Sequence, residues 1–186
     1  MVRPASVLEG KLKLKMNMEK SRVVSVYSKR NFKFLGFALG KGKNGVFIRA
    51  HAKSLKKAKQ KLKELTSRSQ GRNVRVVMYK VKVFIRGWLG YFYIASMRNT
   101  MKSWDEWLRR RFRMYIWKQW KLPKARAESL EKLGVPKYYA RKWSYVKGYW
   151  RVAGSPILKT SITSKRLAQA GYYSILDRYE SLHLCG

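Results

Sequence analysis

Residues 104–121 read Trp-Asp-Glu-Trp-Leu-Arg-Arg-Arg-Phe-Arg-Met-Tyr-Ile-Trp-Lys-Gln-Trp-Lys, and apolar positions return in this run every three or four residues. That period is one face of a helix. A helix over 100–119 buries Met101, Trp104, Leu108, Phe112 and Tyr115. At about 100° per residue, its far face carries Lys102, Arg109, Arg110, Arg113, Trp117 and, where the helix extends that far, Trp120. A second helix over 74–93 places Val77, Val81, Phe84, Trp88, Tyr91 and, just beyond it, Ala95 on a buried stripe, opposite Arg75, Lys82, Arg86, Tyr79 and Tyr93. A third, capped by Ser54, aligns Leu55, Ala58, Leu62 and Leu65. Three amphipathic helices of this kind fit a bundle.

Before them, β-favouring runs at 23–27, 32–37 and 46–50 are separated by residues 28–31 and by the glycine-rich 40–45, which reads as antiparallel strands with a hairpin turn. After them, Pro123 opens a short helix that Gly134 closes, and 136–146 forms another. Gly148, Gly154 and Pro156 predict a loop before a last helical stretch at 162–170. The expected fold class is α+β, mainly α: short antiparallel strands, a three-helix bundle and short C-terminal helices.

The charge decides the class of partner. Forty-four Lys and Arg face nine Asp and Glu, a formal +35 on 186 residues, and this self-repulsion is costly unless a polyanion neutralises it. With 46% hydrophobic and 14% aromatic residues, the chain is too apolar for a disordered basic tail. Guanidinium groups grip phosphates and tryptophans stack on bases, so nucleic acid is the expected partner. At Trp117 and Trp120, base stacking competes with ordinary core packing.

Catalytic constellations are sparse. Asp105-Glu106 is the only adjacent acidic pair, and neighbours on a helix diverge, so the pair reads as structural rather than as a two-metal site. Cys185, His51 and His183 supply neither a disulfide framework nor a metal cluster, which fits a reducing compartment. The 40–45 turn lacks the Lys-Ser/Thr and helix start of a phosphate-binding loop. The N-terminus has no signal-like apolar stretch, and Arg86 and Arg98 bound the most apolar run, so a cytoplasmic protein with no membrane partner is expected.

Arg86-Gly-Trp-Leu-Gly-Tyr-Phe92, Trp107-Leu-Arg-Arg-Arg111, Trp117-Lys-Gln-Trp-Lys121 and Gly148-Tyr-Trp-Arg-Val-Ala-Gly-Ser-Pro156 together resemble, in order, the maturase-specific region of group II intron reverse transcriptases. Lys13-Leu-Lys-Met-Asn17 and Glu19-Lys-Ser21 resemble the sixth conserved polymerase block of that family, and Phe34, Leu35 and Gly36 its seventh, the primer grip. Gly90 departs from the pattern, standing where the family commonly has Asn.

The resemblance implies the end of a polymerase palm over 1–50, a maturase-specific thumb, or X domain, over 51–125 and a C-terminal helical extension over 126–186. It implies an RNA-binding maturase module that assists folding and splicing of a group II intron, with nothing like the family's Tyr-Ala-Asp-Asp centre in the sequence. No enzyme activity is expected of the chain alone, and no cofactor, since the metal-binding carboxylates that hold Mg2+ in the full-length family have no counterpart in this sequence. The nucleic-acid contacts are assigned to Arg75, Lys82, Arg86, Lys102, Arg109, Arg110, Arg113, Trp117, Lys118, Trp120, Lys121 and Arg151; Lys20 matches a lysine near the incoming nucleotide. Partners implied are intron RNA, a template-primer duplex and an N-terminal reverse transcriptase fragment. The alternatives are the C-terminal portion of a split or truncated RNA-directed DNA polymerase that needs a partner, and a remnant without function.

Overall fold

The computed structural model describes residues 10, 13, 15, 32–42 and 45–184. Lys20, the sixth-block match apart from Lys13 and Lys15, and the strand expected at 23–27 lie outside the described residues. Three strands, β1 (Lys33–Phe34), β2 (Phe37–Gly42) and β3 (Gly45–Ala50), form an antiparallel sheet in the order β1-β2-β3. Helices α1 (Ala52–Leu65), α2 (Val74–Phe92), α3 (Arg98–Gln119), α4 (Pro123–Lys132) and α5 (Lys137–Ser144) follow. The chain continues through α6 (Tyr149–Gly154), α7 (Pro156–Ser161), α8 (Ser164–Gln169) and α9 (Ile175–Leu184). The fold is α+β, mainly α.

The expected strand at 32–37 is two strands joined by a tight turn, with Phe34 paired to Phe37. Leu35 and Gly36 both take positive φ, 48° and 85°, as a two-residue hairpin turn demands. A Cβ on Gly36 would press on the Phe92 ring at 3.1 Å, so only glycine serves. The turn is held from three sides: His51 N–H and Ser54 Oγ–H both donate to Gly36 O at 2.9 Å, and Tyr91 Oη–H to Leu35 O at 2.8 Å. Ser54 is thereby a tether inside α1 rather than its cap. The cap is His51, whose Nδ1 accepts from Lys53 N–H at 3.1 Å.

One apolar cluster runs from Ala50 to Tyr179 and draws on α1 through α9. Its centre is α3, packed against α2, α6 and α9. Because α1, α3 and α9 all press on α2, its buried stripe is Val77, Met78, Val81, Ile85, Leu89 and Phe92. That line is rotated from the expected one: Phe84 and Trp88 are half-buried and Tyr91 is exposed. The expected loop over Gly148, Gly154 and Pro156 is instead α6 and α7, with Gly148 in the left-handed region before α6 and Pro156 in the first turn of α7.

The buried carboxylate of Asp105 fixes the last helix. It accepts from Ile175 N–H at 2.9 Å and from Tyr172 Oη–H at 2.6 Å, and it pairs with Arg109 one turn along α3. An acceptor at the opening amide of α9 satisfies a donor that no helical carbonyl can reach. Burial, reinforced by Asp105, pushes the Tyr172 phenol well above its ordinary value and keeps it a donor. Asp105 is thus structural, as its sequence context implies, and the element it serves is the start of α9. Asp105→Ala leaves the amide, phenol and guanidinium without their acceptor, and a loss of about 3 kcal/mol is expected. Urea denaturation checks this; an unchanged midpoint would mean that Asp105 does not hold α9.

Candidate nucleic-acid interface

Consecutive arginines on a helix point in directions about 100° apart, and α3 is enclosed on several sides. Each arginine therefore enters a different contact. Arg110 donates from Nε and Nη2 to Trp150 O at 3.2 and 3.0 Å, its guanidinium 4.0 Å from the Trp150 ring centre. Arg111 is buried and donates from Nη2 to Lys63 O and Thr66 O at 3.0 and 2.9 Å and from Nε to the Thr66 hydroxyl. Arg113 is buried and donates from Nε to Ile162 O, at the end of α7, at 2.8 Å. Burial lowers the pKa of both guanidiniums, and the charge of Arg109 lowers that of Arg113 further.

The same solution recurs outside α3. Arg126 donates to Trp120 O, the C-cap of α3, at 2.9 Å and to Ser144 O, at the end of α5, at 3.3 Å. Arg166 donates to Leu133 O, the C-cap of α4, at 2.7 Å and to Ser161 O, at the end of α7, at 2.6 Å. Carbonyls at helix C-termini lack intrahelical donors and carry partial negative charge, so a guanidinium satisfies both deficits.

These contacts overturn part of the expected basic-aromatic face. Arg113 and Trp117 are 7% and 1% exposed, because α4 and α6–α8 cover the side of α3 that a single-stripe reading left open. Trp117 lies beneath the Arg126 guanidinium at 4.7 Å, and Trp120, half-buried, meets it edge-on at 6.0 Å. Core packing is the reading the structure supports at Trp117. Arg109 is partly buried against Asp105, and Arg110 is held against Trp150.

The remaining candidates are spread over the surface. Arg75, Arg86, Lys102, Lys118, Lys121 and Arg151 are exposed, with Lys118 Nζ 5.4 Å from the Tyr149 ring centre. Lys82 is half-buried, 5.6 Å from that of Tyr173. Phe34 and Leu35 project from the β1–β2 turn with two-thirds of their surface exposed.

What the structure does bring together is an open groove of about 960 Å3 between α1, α3 and α6. Lys56, Lys59 and Lys63 line it from α1, Trp107 and Arg111 from α3, and Trp150 from α6, with Glu64 the one acid. Lys59 Nζ and Arg111 Cζ lie 5.5 and 5.2 Å from the Trp107 ring centre. None of Lys56, Lys59, Lys63, Trp107 or Trp150 is among the contacts expected from sequence. Their signal was present: spacings of three and four put the lysines on one side of α1, and Trp107 and Trp150 stand inside two of the matching motifs.

Comparison with known families assigns this part of the chain. Residues 55–134 match the model of the group II intron, maturase-specific domain. The matched segment is a maturase-specific domain. No curated protein matches the chain. The domain runs from the first turn of α1 through α4 to Gly134, so it supplies the lysine wall and Trp107, while Trp150 comes from beyond it. Within the described residues no helix is long and apolar enough to cross a membrane.

The maturase-specific domain thus uses buried arginines as ties between helix ends and leaves lysines outside. Arg111→Met and Arg113→Met are each expected to cost about 2 kcal/mol, because carbonyls lose a charged donor, whereas Lys102→Gln stays within about 0.5 kcal/mol. Urea midpoints measure the difference. Equal midpoints for all three variants would show that the guanidinium ties contribute nothing.

Proposed function

We propose that this chain is an RNA-binding maturase module of a group II intron-encoded protein, assisting the folding and splicing of its intron RNA without a polymerase site of its own. The observation that carries the reading is the lysine- and tryptophan-lined groove on the maturase-specific domain. Lysines there neutralise phosphates and release counterions, and the chain's +35 charge draws RNA in from a distance. In this reading residues 1–50 are the end of a polymerase palm, 51–125 the thumb-like domain and 126–186 an extension that completes the groove through Trp150. Chemistry is left to the RNA, and Mg2+ enters only with the full-length family.

Competition between a group II intron RNA and a scrambled RNA of equal length, titrated with salt, tests it. The expected result is an intron preference that persists as salt weakens generic binding. Parallel loss of both RNAs would reduce the chain to a polyanion binder.

A second reading, the C-terminal portion of a split RNA-directed DNA polymerase, draws on one observation. The sheet shows exposed apolar side chains at Phe34, Leu35, Leu39, Val46, Phe47 and Ile48, the kind of surface a missing partner covers. Stable complex formation with a fragment carrying fingers and palm would favour it.

A further inference from the structure

Trp150 is placed with more care than a surface tryptophan requires. It is 39% exposed, yet the Arg110 guanidinium is stacked 4.0 Å from its ring centre while bonding to the Trp150 carbonyl. Room for that guanidinium exists because residue 154 is glycine. A Cβ there would come within 2.6 Å of Arg110 Cζ and 2.7 Å of its Nε and Nη2. Gly154 has ordinary φ, so space rather than backbone freedom is what it supplies. Trp150 and Trp107 also line a second groove, of about 390 Å3, that holds Arg109, Arg110 and Lys159. The two tryptophans are therefore the shared wall of two adjoining basic grooves.

We propose that these grooves hold an unpaired RNA strand, with a base stacked on Trp150 and phosphates on Lys56, Lys59 and Lys63. The inference rests on the RNA-binding reading above and deepens it. An indole pre-oriented by a guanidinium offers a base a flat partner at little entropic cost. In a duplex the bases are already stacked on one another, so the indole gains a partner only from a loop, bulge or end. The lysines, three and four residues apart on one side of α1, act as point charges that tolerate any base. Stacking and charge thus come from opposite walls of one groove, so their contributions to binding are separable.

The test uses the full chain with an unstructured RNA of about 12 nucleotides, within the usual range of single-strand site sizes, and a fully paired, loop-free duplex of similar charge. Trp150→Ala is expected to weaken single-strand binding about tenfold, leaving the salt slope and duplex binding unchanged. Trp150→Tyr restores most of the loss. The triple change Lys56→Gln, Lys59→Gln, Lys63→Gln instead lowers the salt slope by about 2. Melting midpoints of all variants confirm that each is folded. Unchanged single-strand affinity in folded Trp150→Ala overturns the inference while RNA binding stands. Equal competition by polyglutamate also overturns it, since no base is then read. Absence of binding by the unaltered chain to either RNA removes the functional reading itself.

Discussion

The structure depends on the bond between a guanidinium and the carbonyls at a helix end. With 44 cationic and nine acidic side chains, most arginines have no carboxylate to pair with. Three salt bridges occur among the described residues, and two of them, Lys61–Glu64 and Arg98–Glu180, are exposed. Backbone carbonyls at helix C-termini are the abundant alternative acceptor. Arg111 closes α1 onto α3, Arg113 ties α7 to α3, Arg126 joins the ends of α3 and α5, and Arg166 joins those of α4 and α7. Asp105 performs the complementary task, placing an anion at the first amide of α9.

This arrangement divides the basic residues by chemistry. The planar guanidinium, with five donors and weaker hydration, tolerates burial and meets two carbonyls at once; the lysine ammonium is a strongly hydrated point charge that stays in water. The arginine run at 109–111 and Arg113 accordingly point largely inward, and the lysines of α1 outward. A nucleic-acid surface on such a scaffold is expected where lysines border accessible aromatics, which occurs along α1 opposite the half-buried Trp107 and the exposed Trp150.

Much of this was legible in the sequence. The helical period of 52–65, 74–92 and 98–119 locates α1, α2 and α3 because long stripes average over local irregularity. The motifs around Trp107 and Trp117 identify the maturase-specific domain. What periodicity could not reveal was how many sides of α3 are covered. A stripe of Met101, Trp104, Leu108, Phe112 and Tyr115 suggests one buried face, yet α4 and α6–α9 bury a second, taking in Asp105, Arg113 and Trp117. Those covering helices are six to ten residues long, and two of them begin at Gly148 or Pro156, so their local signal reads as loop, whereas α8 falls within the helical stretch expected at 162–170. Short helices draw their stability from tertiary contacts rather than propensity. The groove was missed for the same reason: it joins α1 to α6, elements about 90 residues apart that only packing brings together.

Chemical footprinting of the folded chain, with lysine- and arginine-selective reagents and with and without intron RNA, tests the division between inward guanidiniums and outward ammoniums most directly. The account predicts that Arg111 and Arg113 are unreactive in both states, and that Lys56, Lys59 and Lys63 react freely alone and are protected by RNA. Reactive Arg111 and Arg113 that RNA protects, with the α1 lysines unaffected, would contradict it.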